Sequence, residues 1–98
     1  MREYRATFHD DGNTRMVLEF YCDRVYVHLR VRCWGPGVLR LMRARWPGIK
    51  QLLHEVGYVK INAFYRESNK LMPKFAGMFG FKEIKRAGGF VMMEVENA

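Results

Sequence analysis

The chain has 98 residues, 49% hydrophobic and 14% aromatic, and its 17 Lys and Arg against 10 Asp and Glu give a net charge of +7. This length predicts one domain over residues 1–98 with a single core, and the composition excludes a low-complexity or disordered chain. The basic balance predicts a polyanionic partner such as coenzyme A or nucleic acid. Because no apolar run approaches the ~20 residues of a membrane span and no apolar leader opens the chain, we expect a cytoplasmic protein without membrane contact.

The cysteines and histidines are too dispersed to form a metal centre. Cys22 and Cys33 lack both ligand spacing and a disulfide-rich setting, so we expect reduced, partly buried thiols with a structural role. His9, His28 and His54 lie on three different predicted elements, without a ligand-spaced partner. We therefore expect no metal site.

The first third of the chain predicts three antiparallel strands. Residues 3–9 alternate between apolar and polar, and the turn residues at 10–13 (DDGN) predict a hairpin. The alternation returns at residues 16–20 and, after a short turn, at 25–31. One face of the third strand is apolar, and the other is expected to stay polar or to line a site; that second face carries Tyr26, His28, Arg30 and Arg32.

A long amphipathic helix follows. Apolar residues from Val38 to Val56 recur at the i, i+3, i+4 spacing, and Pro36 suits the first turn. Pro47, followed by glycine, is expected to kink this helix or to split it in two. Gly57 is expected to end it.

The remaining elements are a strand, a short helix and two further strands. Residues 58–65 are β-rich, and because they follow a crossover helix we expect a strand parallel to the third. Ser68 or Asn69 is the expected N-cap of a short helix that runs through residue 78. Strands at 81–86 and 90–95 flank a glycine turn. The predicted order is β-β-β-α-β-α-β-β, an α/β fold with a mixed sheet.

The sequence Arg32-Cys33-Trp34-Gly35-Pro36-Gly37 joins the third strand to the long helix and predicts an anion-binding turn. Glycine lets backbone N–H groups approach a phosphate, and the helix behind them adds unpaired donors and the positive end of its dipole. The alternative is a structural turn with a solvated basic rim.

This R-x-x-G-x-G pattern resembles the acyl-CoA pyrophosphate loop of the GNAT superfamily of N-acyltransferases. A second stretch, Asn69 followed by FAGMFGF at 75–81, is similar to the GNAT segment in which an Asn opens the fourth helix and contacts the pantetheine arm of the coenzyme. The resemblance implies a GNAT-like mixed sheet that lacks the family's first strand and first two helices. It also implies acetyl-CoA, or another acyl-CoA, as cofactor and an unidentified amine as acceptor.

The resemblance implies a set of cofactor-binding residues. The backbone N–H near Val31 would polarise the thioester carbonyl, and Asn69 would contact the pantetheine arm. The pyrophosphate would be bound by the turn and by a following arginine, that is by Arg32, Cys33, Trp34, Gly35, Gly37 and Arg40.

The sequence supplies candidate catalytic groups, but it lacks the usual proton donor of the family. His28, on the polar face of the third strand where the family often places its base, is the candidate general base, and Glu19 on the neighbouring strand is the other. A hydrogen-bonded His28 without catalytic duty is the alternative. Many GNAT enzymes protonate the departing thiolate with a Tyr seven residues after the Asn, but Ala76 stands there. Tyr65 or Ser68 is the candidate substitute.

The sequence therefore predicts an acetyl-CoA-dependent N-acetyltransferase-like protein and leaves alternatives open. Ala76 favours a non-catalytic cofactor-binding or structural protein, and short GNAT-like chains resemble some bacteriophage proteins, including a virion component. A nucleic-acid binder could use the arginines with Tyr26, Trp34 and Trp46, but Trp46 falls on the apolar side of its helix. A sheet face without the family's first two helices predicts a homodimer.

Overall fold

Eight elements form in the predicted order in the computed structural model, which describes residues 4–97. The bounds are β1 Tyr4–Asp10, β2 Thr14–Tyr21, β3 Arg24–Val31, α1 Pro36–Glu55, β4 Lys60–Arg66, α2 Met72–Gly77, β5 Lys82–Ala87 and β6 Phe90–Glu96. The six strands make one mixed sheet in the order β1-β2-β3-β4-β6-β5. The predicted α/β class and element order are confirmed.

The sheet joins two antiparallel units through one parallel contact. β1, β2 and β3 form a meander, and β4, β6 and β5 form a second antiparallel unit. Between the units, β3 and β4 pair in parallel at Tyr26 and Asn62. α1 is the crossover that this parallel pairing requires.

Both helices cover one face of the sheet. Met42, Trp46 and Leu53 of α1 and Ala76 of α2 share one buried cluster with the inward side chains of the strands. The opposite side, called the outward face below, carries the alternate residues of β2 and β3, because successive side chains of a strand point to opposite faces. Neither helix in residues 4–97 is long and apolar enough to span a membrane.

Pro47 does not split the long helix, so of the two expected outcomes, a kink or a split, the split is wrong. α1 runs without interruption over 20 residues, and Pro47 lies inside it. Its neighbours Trp46 and Ile49 are buried while Pro47 and Gly48 are exposed. Burial of the same helix face on both sides of the proline stabilises the helix against the loss of one backbone donor.

The two cysteines are free, as expected, but both are exposed, so the expectation of partly buried thiols is wrong. Their positions explain this. Cys22 lies in the turn between β2 and β3, and Cys33 lies in the connection between β3 and α1. Connections run over the surface, where their backbone groups can be solvated.

Candidate functional site

The central feature of the site is a cavity of ≈ 440 Å³ between β3 and β4, called the cleft below. The two strands pair at one position and then separate towards their carboxyl ends. Ligands of open sheets with parallel strands bind outside such carboxyl ends. The structure brings four predicted site residues to this cavity: His28, Tyr65, Ser68 and Asn69.

A second depression, the glycine groove, lies at the start of α1 and is lined by Gly35, Gly37 and Arg40 among others. No side chain caps α1, and its first turn contains no acidic residue. A Cβ added at Gly35 or Gly37 would meet no atom within 4 Å. The fold itself therefore does not need glycine at these positions, whereas a ligand that approaches the backbone does.

Asn13, in the β1–β2 turn, fixes the start of the predicted anion-binding turn. Its Nδ2 donates to the carbonyl oxygen of Cys33 at 3.1 Å, and the Cys33 N–H donates to Asn13 Oδ1 at 2.9 Å. The Arg32 N–H donates to the Asn13 carbonyl at 2.9 Å. The amides of Arg32 and Cys33 are thus used within the fold. Within residues 4–97 the N–H groups of Trp34, Gly35 and Gly37 have no acceptor, so all three can donate to a ligand.

The two candidate phosphate cations lie in different places. Arg40 lines the glycine groove, next to the open amides. Arg32 instead lines a depression on the outward face together with Arg15 and Arg30. Of the two predicted cations, Arg40 is therefore the one positioned beside the glycine amides.

Backbone donors also face the cleft from β3. The Arg32 N–H points towards β2, where it donates to Asn13. Because successive N–H groups of a strand point to opposite neighbours, the N–H groups of Val31 and Leu29 point towards β4. β4 has diverged there, and Leu29 lines the cleft. Leu29 thus offers the same kind of donor as the predicted Val31, at the cavity wall.

His28 and Glu19, the two candidate bases, form a hydrogen-bonded pair. Glu19 Oε1 lies 3.1 Å from His28 Nε2, and Glu19 Oε2 lies 3.4 Å from Arg5 Nε. Partial burial opposes ionisation, but hydrogen bonds from His28 and Tyr21 and the charges of His28 and Arg5 lower the pKa of Glu19. An ionised Glu19 that accepts from Nε2 leaves Nδ1 of His28 as the proton acceptor.

The candidate acids differ in burial. Tyr65 is 8% exposed, and burial, together with the charge of Glu83, raises the pKa of Tyr65 against the smaller opposite effect of Arg86. Its hydroxyl therefore stays protonated at neutral pH and can donate. Ser68 is exposed at the rim. Ala76 is buried in the cavity wall and supplies no donor.

Asn69 orders the start of α2. Its Oδ1 accepts hydrogen bonds from the backbone N–H groups of Leu71 and Met72, both at 3.2 Å. The N-cap of α2 is Leu71, so the expectation of Ser68 or Asn69 as N-cap is wrong; Asn69 instead orders the turn that precedes the helix. The Nδ2 group remains available as a donor at the cleft.

The sequence assigned Trp46 to the core and missed its position at the cleft. Trp46 is 5% exposed and lines the cavity, and its Nε1 is buried without a hydrogen-bond partner within residues 4–97. Trp34 contacts Phe75 edge-on with ring centroids 5.0 Å apart, so it connects the glycine turn to α2. Helical periodicity cannot separate a core tryptophan from one at a cavity wall, and no sequence signal marked either contact.

Three solved structures show what this chain is similar to. The N-acetyltransferase PaiA of Thermoplasma acidophilum, in complex with coenzyme A, aligns with a TM-score of 0.71 over 96% of this chain and 60% of PaiA at 13% identity. The ribosomal-protein-S18-alanine N-acetyltransferase of Escherichia coli aligns with a TM-score of 0.65 over 99% of this chain and 70% of that enzyme, at 16% sequence identity. The N-acetyltransferase PseH of Campylobacter jejuni, in complex with acetyl coenzyme A, aligns with a TM-score of 0.61 over 90% of this chain and 71% of PseH, at 15% sequence identity.

This chain has the GNAT fold. The resemblance of its sequence to that superfamily is thus confirmed at the level of structure, although no family model and no curated protein sequence matches the chain. The chain spans 60% of the length of PaiA. Within residues 4–97, no three His, Cys, Asp or Glu side chains are grouped to hold a metal ion.

Proposed function

We propose that this GNAT-fold chain is an acyl-CoA-dependent N-acetyltransferase that acts on an amine. One observation carries the proposal: the cleft between β3 and β4 joins the His28–Glu19 pair to Tyr65 and Asn69 in one cavity. Base, acid and coenzyme-contacting candidates thus face one space, at the diverging ends of the parallel strands. PaiA and PseH, which share the fold, are described in complex with coenzyme A or acetyl coenzyme A.

The residues at the glycine groove fit the pyrophosphate of a coenzyme A. The N–H groups of Gly35 and Gly37 are open at the start of α1, the space above them is empty, and Arg40 adds charge. Backbone amides at a helix N-terminus and a nearby guanidinium are the groups that bind phosphate oxygens. Asn69 Nδ2 would donate to the pantetheine arm.

Acyl-CoA, when bound, supplies an acyl group activated as a thioester. His28 Nδ1 takes a proton from the incoming amine, and Glu19 stabilises the resulting charge on the imidazole. The N–H of Leu29 or Val31 would donate to the thioester carbonyl oxygen and stabilise negative charge on it. Tyr65 Oη would be the proton donor for the sulfur, in place of the tyrosine that the resemblance implies at position 76.

Calorimetry with acetyl-CoA, followed by an acetylation assay on an amine panel, tests the proposal. We expect saturable binding and transfer to at least one amine. Absence of coenzyme binding to the folded protein would overturn it.

A non-catalytic coenzyme-binding protein is the second candidate, and Ala76 favours it because the usual proton donor is missing from the cavity wall. Binding without transfer to any amine would identify this alternative. The homodimer, the cytoplasmic location and the single domain over residues 1–98 stay predictions. Sedimentation at micromolar concentration tests the first of them.

A further inference from the structure

The outward face carries an unpartnered pair of arginines. Arg15 and Arg30 lie directly opposite each other in the β2–β3 register, where like charges repel. Within residues 4–97 neither guanidinium has a carboxylate at ion-pair distance, whereas Arg5 on the same face is paired with Glu19. Asp10 lies opposite Arg15 in the β1–β2 register but not at ion-pair distance, so the repulsion between Arg15 and Arg30 is offset only in part.

A third arginine adds to the pair. Arg32 lines a small depression together with Arg15 and Arg30. Asp10 is the acidic residue at its edge, and its Oδ1 accepts a hydrogen bond from the Gly12 N–H at 3.1 Å. The positive charge therefore exceeds the negative charge around this depression. Guanidinium groups with unused donors bind carboxylates and phosphates, often through two parallel hydrogen bonds.

The arginine pair adjoins the proposed reaction centre. His28 and Arg30 line the cleft, and both also line a groove of ≈ 260 Å³ on the outward face that Arg15 shares. Along β3, His28 and Arg30 are two residues apart on the same face, which corresponds to ~6.6 Å of strand. An acceptor with its amine at His28 would therefore place a group several bonds away against the two guanidinium groups.

We propose that Arg15 and Arg30, supported by Arg32, form an anion subsite that selects amine acceptors carrying a carboxylate or phosphate several bonds from the amine. This inference rests on the proposed function and specifies its acceptor class. The negative group of the acceptor relieves the repulsion between the two arginines and orients the amine towards His28. Neutral amines lack this interaction, and cationic amines are repelled.

Matched acceptors test the subsite and its two sources of negative charge. Glucosamine 6-phosphate is compared with glucosamine, and the C-terminally amidated peptide Ala-Asp-Ala with the amidated Ala-Asn-Ala, in an acetylation assay with acetyl-CoA. We expect the charged member of at least one pair to be preferred by about 10- to 100-fold, the usual effect of a charge-assisted hydrogen bond. Arg15→Gln and Arg30→Gln should each reduce that preference. Arg43→Gln, an exposed arginine of α1 away from this face, should not.

A binding measurement separates the subsite from the proposed function. Backbone amide shifts of β2 and β3 are followed by NMR while the same four acceptors, and inorganic phosphate alone, are titrated without coenzyme. We expect the charged amines to bind more tightly than both their neutral partners and inorganic phosphate, and Arg30→Gln to remove the difference. Arg15→Gln should reduce the difference in the same way and leave coenzyme binding by calorimetry unchanged, because Arg15 does not line the cleft.

The outcomes are distinct. If the wild-type protein does not bind coenzyme A, the proposed function is contradicted. The NMR titration would still show whether the anion subsite exists. Equal binding of charged and neutral amines, or arginine variants that behave like Arg43→Gln, would overturn the subsite. Inorganic phosphate that binds as tightly as glucosamine 6-phosphate would show a general anion site and not an acceptor site.

Discussion

The glycine groove and the outward face offer recognition by different means. In the groove, the donors are the backbone amides of Gly35 and Gly37, fixed by the start of α1 and by the Asn13 contacts. On the outward face, the groups are side chains brought together across strands, such as Arg15 opposite Arg30. A site built from backbone amides requires that no side chain cover those amides. A site built from side chains requires a strand register that brings them together.

The same difference decides how each region responds to substitution. A new side chain in the groove would fill the ligand's space without disturbing the core, because the space at both glycines is empty. On the outward face, replacing one arginine removes one of the ligand's two cationic partners. It also removes the repulsion on the arginine that remains, so part of the binding is kept. We therefore expect all-or-none effects in the groove and graded effects on the face.

The largest effect is expected from Gly37→Val. The side chain would enter the space that a pyrophosphate needs, and calorimetry should detect no coenzyme binding, while circular dichroism should show a folded protein. Gly48→Val is the matched control, because Gly48 also lies in α1 and a Cβ there would also meet nothing within 4 Å. Unchanged affinity in a folded Gly37→Val protein would remove the groove from the site.

Ala76→Tyr tests the missing acid in the cleft wall. If acid catalysis limits transfer, a hydroxyl at this position should raise the rate by up to ~10²–10⁴-fold, the usual contribution of a positioned acid. Ala76→Phe is the control, since it adds the ring without the hydroxyl. Equal rates in the two variants would show that Tyr65 or another group already supplies the proton.

His28→Ala tests the candidate base, which lines both the cleft and the groove on the outward face. We expect a loss of rate of roughly 10²–10⁴-fold and loss of the dependence of kcat/KM on pH near neutrality. Glu19→Gln should give a smaller loss, because it keeps a hydrogen-bond acceptor but removes the charge beside the imidazole. His54→Ala, on the exposed side of α1, is the control. A pH profile of His28→Ala that matches the wild type would exclude this base.

Much of the fold could be predicted because it depends on local patterns. The strand alternation, the helix period and the crossover before β4 gave the order of all eight elements. The continuity of α1 across Pro47 could not be predicted, since it depends on Trp46 and Ile49 being buried against the sheet on either side. Local propensity argues for a break there, and tertiary packing overrides it.

The candidate site shows the same division. The glycine turn and Asn69 were visible in the sequence because each acts within a short segment. The contacts of Asn13 with Cys33, 20 positions away, and the placement of Arg32 with Arg15 were not visible, because both depend on the β2–β3 register. His28 and Glu19 were named separately, and only the fold joined them into a pair.

Arg40→Gln compared with Arg32→Gln sharpens the boundary between the two regions. Arg40 lines the glycine groove and Arg32 the outward depression, so coenzyme affinity should depend on the first alone. Loss of a charged hydrogen bond costs roughly 1.5–3 kcal/mol, or about 10- to 150-fold in affinity. The loss at Arg40 should shrink as salt rises. A larger loss at Arg32 would reverse the assignment.

The smallest effect concerns the hairpin that connects the two regions. Asp11 Oδ1 accepts hydrogen bonds from the N–H groups of Thr14 and Asn13 at 2.7 and 2.9 Å. These bonds, with that from His9, lower the pKa of Asp11 from 3.8 to about 2. A lowered folded-state pKa stabilises the protein above the unfolded-state value, and this stability is lost as pH falls through the folded-state value.

The free energy of unfolding should therefore decline between about pH 5 and pH 2 by more in the wild type than in Asp11→Asn, which keeps a hydrogen-bond acceptor but cannot ionise. Because the Asp11 side chain is exposed, the difference should be small. Asp23→Asn, in the next turn, is the control, since Asp23 accepts none of these bonds. If the hairpin positions Asn13 for its contacts with Cys33, coenzyme affinity should weaken over the same pH range. If the free energy of unfolding and the coenzyme affinity depend on pH identically in the wild type and in Asp11→Asn, the ionised Asp11 stabilises neither the hairpin nor the glycine groove.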